Sequence, residues 1–432
     1  MMRAIRRIGV LIAAVALAAA CATDTPSWTP GMTRISILAA SSEQWTVNYV
    51  LPEPATELVF ARQPDDSRMR DWRPGPGFEI VRANDLERLR RTDGAPFREA
   101  SAAVPPVYRD LPMDYGPFSP FGGGGTLVHS GRFFACPAEC RDDATWQVML
   151  DAPGRSILVD GKRRADRAIW DDDGSGRNVY VGETAPVETP DFLAVIDTAL
   201  PAAIRAQLSE QFPGFMRLFA ERLGALDERP MLFASYDLNH RDGWGRQGGT
   251  LPGQVFVHFY GPVWPERMAQ PGFGDDLAWH FAHEAGHLYQ GQIFINGEGA
   301  WVHEGGAEAL AALALRLQGR TAAADAQVSA SAVACREKLR GRSISAALKD
   351  GEHDVAYACG LQINLVLDAE ARRVAPSSDG LFTIWKRYRK RVKEKQPTEE
   401  DFLLAVSDVA GAGVAQRIRA LVHTPSPEGA PW

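Results

Sequence analysis

Two hydrophobic patterns divide the 432-residue chain. From about Thr33 to Thr184, apolar and polar positions alternate in short β-branched and aromatic runs. WTVNYVL (Trp45–Leu51) and ELVFAR (Glu57–Arg62) are the clearest, and SILVDG and NVYVGET continue them. Such runs predict strands. Between them lie Pro- and Gly-rich segments. One of these, GPFSPFGGGG (Gly116–Gly125), is expected to be a flexible loop, because no phosphate-loop lysine and helix follow it. This part reads as a β-sandwich. The pattern changes near Pro190. PDFLAVIDTAL and AAIRAQLSEQFPGFMRLFAERLGAL have helical periodicity. RPMLFASYDL reads as a strand, GWGRQGG as a glycine-rich turn and QVFVHFYG as a second strand. Beyond Asp275 the pattern is mainly helical, with Asp275 or Asp276 placed to cap the first helix. The expectation is an α+β multidomain chain, with a β-sandwich-like domain over 33–185 and a mainly helical domain over 186–432.

The N-terminus has a different character. Arg3, Arg6 and Arg7 precede an apolar run, Ile8–Ala20, of 13 residues, short for the roughly 20 of a membrane-spanning helix. The run ends Ala18-Ala19-Ala20-Cys21, which resembles a relaxed bacterial lipobox with Ala18 in place of the usual leucine. Residues 1–21 are therefore expected to be a signal peptide ending in the lipidated Cys21, and 22–32 a tether. The protein would be exported to the cell envelope as a periplasmic lipoprotein, held at a bacterial membrane through Cys21. Plain secretion is the other reading. Export permits disulfides, and the remaining cysteines are expected to pair locally as Cys136–Cys140 and Cys335–Cys359. A net charge of −7 without a large basic block argues against a nucleic-acid partner. The basic run WKRYRKRVKEK (Trp385–Lys395) reads as a solvated helix face.

Candidate chemistry concentrates in HFAHEAGHLYQ, His280–Gln290. His283 and His287, four apart, share one helix face and can grip one metal ion, and Glu284 is near enough to reach a water there. Gly286 is unfavourable inside a helix, which suggests a close approach by another element. A third histidine of the metzincin kind is absent, since Ile293 occupies its place. WVHEGGAEALAALAL (Trp301–Leu315) instead supplies Glu304 in the first turn of a second helix. A carboxylate there completes a His₂Glu set, with Glu298 as the competing ligand. Glu308, one turn on, is placed to hold a ligand histidine in one tautomer. His280 reads as a core histidine and His303 as a rim residue.

HEAGH with WVHEGGAE looks like the gluzincin metallopeptidases, which pair HExxH with W-L-x-E-G-F-A-E. Sixteen residues separate His287 from Glu304, against eighteen in the aminopeptidase N family. A third block, VAYACGLQINLVLDAEARR (Val355–Arg373), resembles the Y-x-K-G…L-D…R helix of the glycyl aminopeptidase family. Tyr357, Gly360, Asp368 and Arg372 match it, and Cys359 replaces its lysine. The resemblance implies a thermolysin-like catalytic domain behind the β-domain. It also implies Zn²⁺ on His283, His287 and Glu304, Glu284 as general base and Tyr357 as oxyanion donor, with a peptide or protein as substrate. The aminopeptidase N strand G-x-M-E-N, whose glutamate holds the substrate amine, has its counterpart in GRQGGTLPGQVFVHF, which lacks that glutamate. Gly248, Gly249 and Thr250 are expected to bind substrate backbone there, on an exposed edge strand. Two readings stay open beside a peptidase: a degenerate relative that binds peptides without cutting, and a zinc hydrolase of a non-peptide amide or ester.

Overall fold

The computed structural model describes residues 29–425 apart from 112–113, 191, 241–242, 292–294, 377 and 394–395. The expected signal peptide, Cys21 and most of the tether lie outside the described residues. No helix among the described residues is long and apolar enough to cross a membrane.

The first part is built of two sheets. In Trp45–Ala55, Trp45, Val47, Tyr49 and Leu51 are buried while the residues between them are partly exposed. This is the alternation of a strand with one face on a core. The strand sits in a nine-stranded sheet, and a four-stranded sheet containing Glu57–Phe60 and Leu86–Arg91 faces it. Their shared core includes Leu58, Phe60, Leu89 and Val148, with Phe134 stacked on Trp146 at 4.0 Å. Arg68 and Glu87 form an ion pair buried beside it.

A five-stranded sheet and a helical body follow. The strand order is Val187–Glu188, Leu193–Ile196, Met231–Asp237, Gln254–Tyr260, Gly245–Leu251. Two local expectations are corrected here. LAVI (Leu193–Ile196) is a strand, with all four residues buried and a parallel neighbour on one side. A short, fully apolar run does not reveal its period. The helix begins only at Ala202. GRQGGTL (Gly245–Leu251) is likewise not a turn but the edge strand, paired antiparallel with Gln254–Tyr260. The reversal falls at Pro252-Gly253, where Gly253 takes φ +67°.

The remaining sequence folds into packed helices. Those that matter for the site are the histidine helix (Phe273–Gln290), the glutamate helix (His303–Leu317) and the tyrosine helix (Asp354–Val374). The first starts from Gly272, and Asp275 and Asp276 sit in its first turn without capping it. There they still favour the positive end of the helix dipole. Both local disulfides form, Cys136–Cys140 and Cys335–Cys359. The second joins the tyrosine helix to helix Thr321–Leu339, which gives Cys359 a role unrelated to that of the lysine it replaces.

A smaller apolar cluster joins the two parts: Phe121, Leu127 and Tyr180 pack with Leu193, Val195, Phe233 and Phe256. The four-glycine segment belongs to this joint. Gly122 and Gly123 donate their backbone N–H groups to the buried Asp197 carboxylate at 2.7 and 2.8 Å, and Tyr236 N donates at 2.9 Å. The expected free loop is in fact pinned by a carboxylate from the other part of the chain.

Candidate metal centre

The histidine helix brings its two imidazoles onto one face. His283 Nε2 and His287 Nε2 are 3.0 Å apart. The glutamate helix crosses so that Glu304 Oε2 lies 3.5 Å from the first and 3.3 Å from the second. These three donors form the one potential metal-ligating cluster among the described residues. Glu298 is not part of it and lies in the short turn Gly297–Gly299.

The outer ring nitrogens are also held. His287 Nδ1 is 2.7 Å from Gln290 Oε1, and Gln290 Nε2 donates to the His303 carbonyl at 2.9 Å. His283 Nδ1 is 3.0 Å from Glu308 Oε1, while Trp279 Nε1 donates to Glu308 Oε2 at 2.7 Å. With its proton on Nδ1 toward Gln290, His287 turns the lone pair of Nε2 toward Glu304, as a metal ligand requires; Glu308 stands beside Nδ1 of His283 in the corresponding place. Two imidazoles and one carboxylate, convergent on one point, fit Zn²⁺.

The carboxylates around the site favour positive charge there. Burial alone would lower the pKa of His283, but Glu304 and Glu308 outweigh it and raise the pKa well above the ordinary value. Burial likewise works against the Glu304 carboxylate, yet His287 and His283 hold its pKa far below the ordinary range. The pocket thus concentrates negative charge where a cation would sit.

Glu284 is buried and points beside this cluster. Its Oε2 accepts a hydrogen bond from Thr250 Oγ1 at 2.7 Å, and its Oε1 lies 3.8 Å from His280 Nδ1. Thr250, expected to contact substrate, is turned onto Glu284. His280 is a half-buried neutral histidine: desolvation first, then Arg246 and His283, push its pKa well below the usual value. Gly248 lies against it, since a Cβ there would come within 2.9 Å of His280 Nε2. His303 is not a rim residue. It is buried against Trp385 and Tyr388, accepts a hydrogen bond from Ile295 N at 3.0 Å, and has a pKa pushed down to about 3, chiefly by burial.

Tyr357 faces the cluster from the tyrosine helix. Its ring lies 5.9 Å from that of His283 with an interplanar angle of 20°. Although Tyr357 is open to solvent on one side, desolvation by the surrounding protein, and then Glu304 beside it, raise its pKa, so it keeps a proton to donate. Asp368 and Arg372 of the same helix pair at 2.9 Å, and Asp368 also accepts from Leu381 N at 2.8 Å.

Two contributors were not apparent in the sequence. Gln290 was hidden although it lies three residues after His287, a spacing at which helical side chains meet. Tyr115 comes from the β-part, and its hydroxyl occupies the space beside Gly249 that a Cβ would fill. Burial, followed by Glu284 and Glu304, raises its pKa as well. No local pattern announces that contact.

No protein-family model matches this chain, and a search of curated proteins finds no match. Solved structures do match in fold. An aminopeptidase N family protein from Idiomarina loihiensis aligns with a TM-score of 0.65 at 10% identity, over 92% of this chain and 76% of that one. A variant of an M1 zinc metallopeptidase from Deinococcus radiodurans, bound to a Tyr-Ser-Ala substrate, aligns at 0.54 and 15% identity over 93% and 96%. Yeast LTA4 hydrolase in complex with bestatin aligns at 0.56 and 10% identity over 95% and 72%. The chain has the fold of these gluzincin-type zinc metallopeptidases, an N-terminal β-part followed by a mainly helical part.

Proposed function

We propose that this chain is a zinc metallopeptidase that hydrolyses peptide bonds. The observation that carries the reading is the convergence of His283, His287 and Glu304, with Glu284 held beside them by Thr250. Zn²⁺ on those three residues would polarise a carbonyl and make a water more acidic. Glu284 takes the proton of the attacking water and passes it to the leaving amine. Tyr357 donates its O–H to the carbonyl oxygen as negative charge develops there. Glu308 and Gln290 keep the two histidines in the tautomer that ligation needs. The edge strand offers backbone groups to an extended substrate, with Gly248 packed against His280 and Gly249 against Tyr115. The Deinococcus radiodurans structure, described with a bound Tyr-Ser-Ala substrate, supports a peptide as the substrate class.

The reading extends to location. Cys21, after its apolar run, is proposed to carry lipid and to tether the protein in the periplasm at a bacterial membrane. Replacing Cys21 with Ala should move the protein from the membrane fraction to the soluble one; a variant still wholly in the membrane would contradict the anchor. The catalytic reading is tested by peptide cleavage that needs both zinc and Glu284.

A further inference from the structure

A cleft of about 1060 Å³ opens beside the metal centre, reaching it through His283, Glu284 and Tyr357. Arg246 of the edge strand lines it. Side chains alternate along a strand, and Arg246, Gly248 and Thr250 share the face turned toward the histidine helix. Thr250 reaches Glu284 and Gly248 lies against His280. Arg246 continues the row into the cleft. Its side chain is open to the cleft, yet surrounding protein lowers its pKa through desolvation, against the pull of Asp276 and Glu284. Among the described residues its guanidinium has neither a hydrogen bond nor an ion pair.

A second cation stands at the same end. Arg267 lies with its guanidinium carbon 3.7 Å over the ring of Trp244, and it too has no carboxylate partner among the described residues. The carboxylates of the cleft are differently placed. Glu284 is bonded to Thr250 and Glu308 to Trp279. Asp276 accepts from Gln327 at 3.2 Å, and it and Glu266 are exposed. The edge strand itself, GRQGGTL, carries a cation and no acid. Such a strand has no acid to hold the free amine of a peptide, and its Arg246 has a guanidinium open to an anion.

We infer that this cleft selects peptides bearing a carboxylate, and that Arg246 is the residue that anchors it. The proposal rests on the metallopeptidase reading. A guanidinium offers a planar fork that matches a carboxylate with two parallel hydrogen bonds. Arg246 lies four residues from Thr250, about 13 Å along an extended strand. Allowing for the reach of its side chain, the anchored carboxylate sits roughly two to four residues from the bond to be cut. It is either an Asp or Glu side chain or the C-terminal carboxylate.

The test uses zinc-loaded protein beginning after Cys21 and Ala-rich octapeptides, each with one Glu or the matching Gln moved through every position, with free or amidated C-termini. Binding is measured calorimetrically on the Glu284→Gln protein, and cleavage on the wild type by mass spectrometry. The expected result is at least tenfold tighter binding of the acid over its neutral match in one arm, and a ratio near one once Arg246→Gln is added. Arg246→Lys should keep part of the preference, and zinc content and circular dichroism verify folding of both variants. Preference in the Glu arm assigns a side-chain carboxylate, and in the free-terminus arm the C-terminal one. Equal binding of acid and neutral peptides, or a preference that survives Arg246→Gln, overturns the anchor. Absence of cleavage by the wild type would overturn the peptidase reading, while the binding ratio still decides the anchor.

Discussion

Thr250 and Glu284 show how much of this site depends on single contacts. A carboxylate serving as a base must be aimed, and Thr250 Oγ1 aims it from the edge strand at 2.7 Å. Replacing Thr250 with Val keeps the shape and removes the hydrogen bond. The turnover number should then fall roughly tenfold, equivalent to about 1.4 kcal/mol, with little change in KM. Steady-state kinetics on one peptide decides this: a rise in KM at unchanged kcat would make Thr250 a substrate contact instead. The residue types at the centre were legible, because HExxH and a downstream glutamate each have a spacing dictated by helix geometry. The aiming of Glu284 was not, because the hydroxyl that does it is 34 positions away in the chain.

At the scale of elements, the glycines of the motifs mark where helices touch. Gly305, next to Glu304, meets Gly360, three residues after Tyr357, backbone against backbone. A Cβ on Gly360 would come within 2.7 Å of Gly305 Cα and of the Trp301 carbonyl oxygen. This crossing sets the distance between the carboxylate helix and the phenol helix. Gly360→Ala should therefore cost about 1–3 kcal/mol by overpacking and also lower activity, seen as a reduced Tm and reduced kcat. Gly286 is different. The nearest side-chain atom to a Cβ there is Leu310 Cδ1 at 3.4 Å, an ordinary contact. Gly286→Ala should be tolerated, with helix propensity contributing about 1 kcal/mol in its favour, so the close approach expected at that glycine occurs instead at Gly305. The long helices were readable from their period. LAVI was not, because it lacks polar positions; GRQGGTL lacks large apolar ones and reads as a strand only by its likeness to G-x-M-E-N, and sheet pairing makes both strands.

At the scale of the molecule, the β-part is bound to the site it supports. Its loop after Val104 sends Tyr108 to Gln247 at 3.1 Å, Asp110 to Tyr260 at 2.7 Å, and Tyr115 over Gly249. Its glycine segment is fixed by Asp197. Asp197→Ala would take the carboxylate acceptor from the backbone N–H groups of Gly122, Gly123, Ala199 and the buried Tyr236, at a cost of about 1–3 kcal/mol. Calorimetry should show a lower Tm; an unchanged transition would mean that the joint does not depend on this carboxylate. The two-part organisation was visible as a change of hydrophobic period near Pro190. The joint was not, since glycines specify conformational freedom and not a partner, and the partner lies some 75 positions on.

The central claim is that His283, His287 and Glu304 hold zinc and that Glu284 uses it to cut peptides. The most direct test compares wild type and Glu284→Gln, both beginning after Cys21 and both with zinc content measured, on one mixed peptide library read by mass spectrometry. The account predicts equal zinc in the two proteins and products from the wild type at least about a hundredfold faster than from the variant. Equal product formation by both, or no products from a fully zinc-loaded wild type, would contradict it.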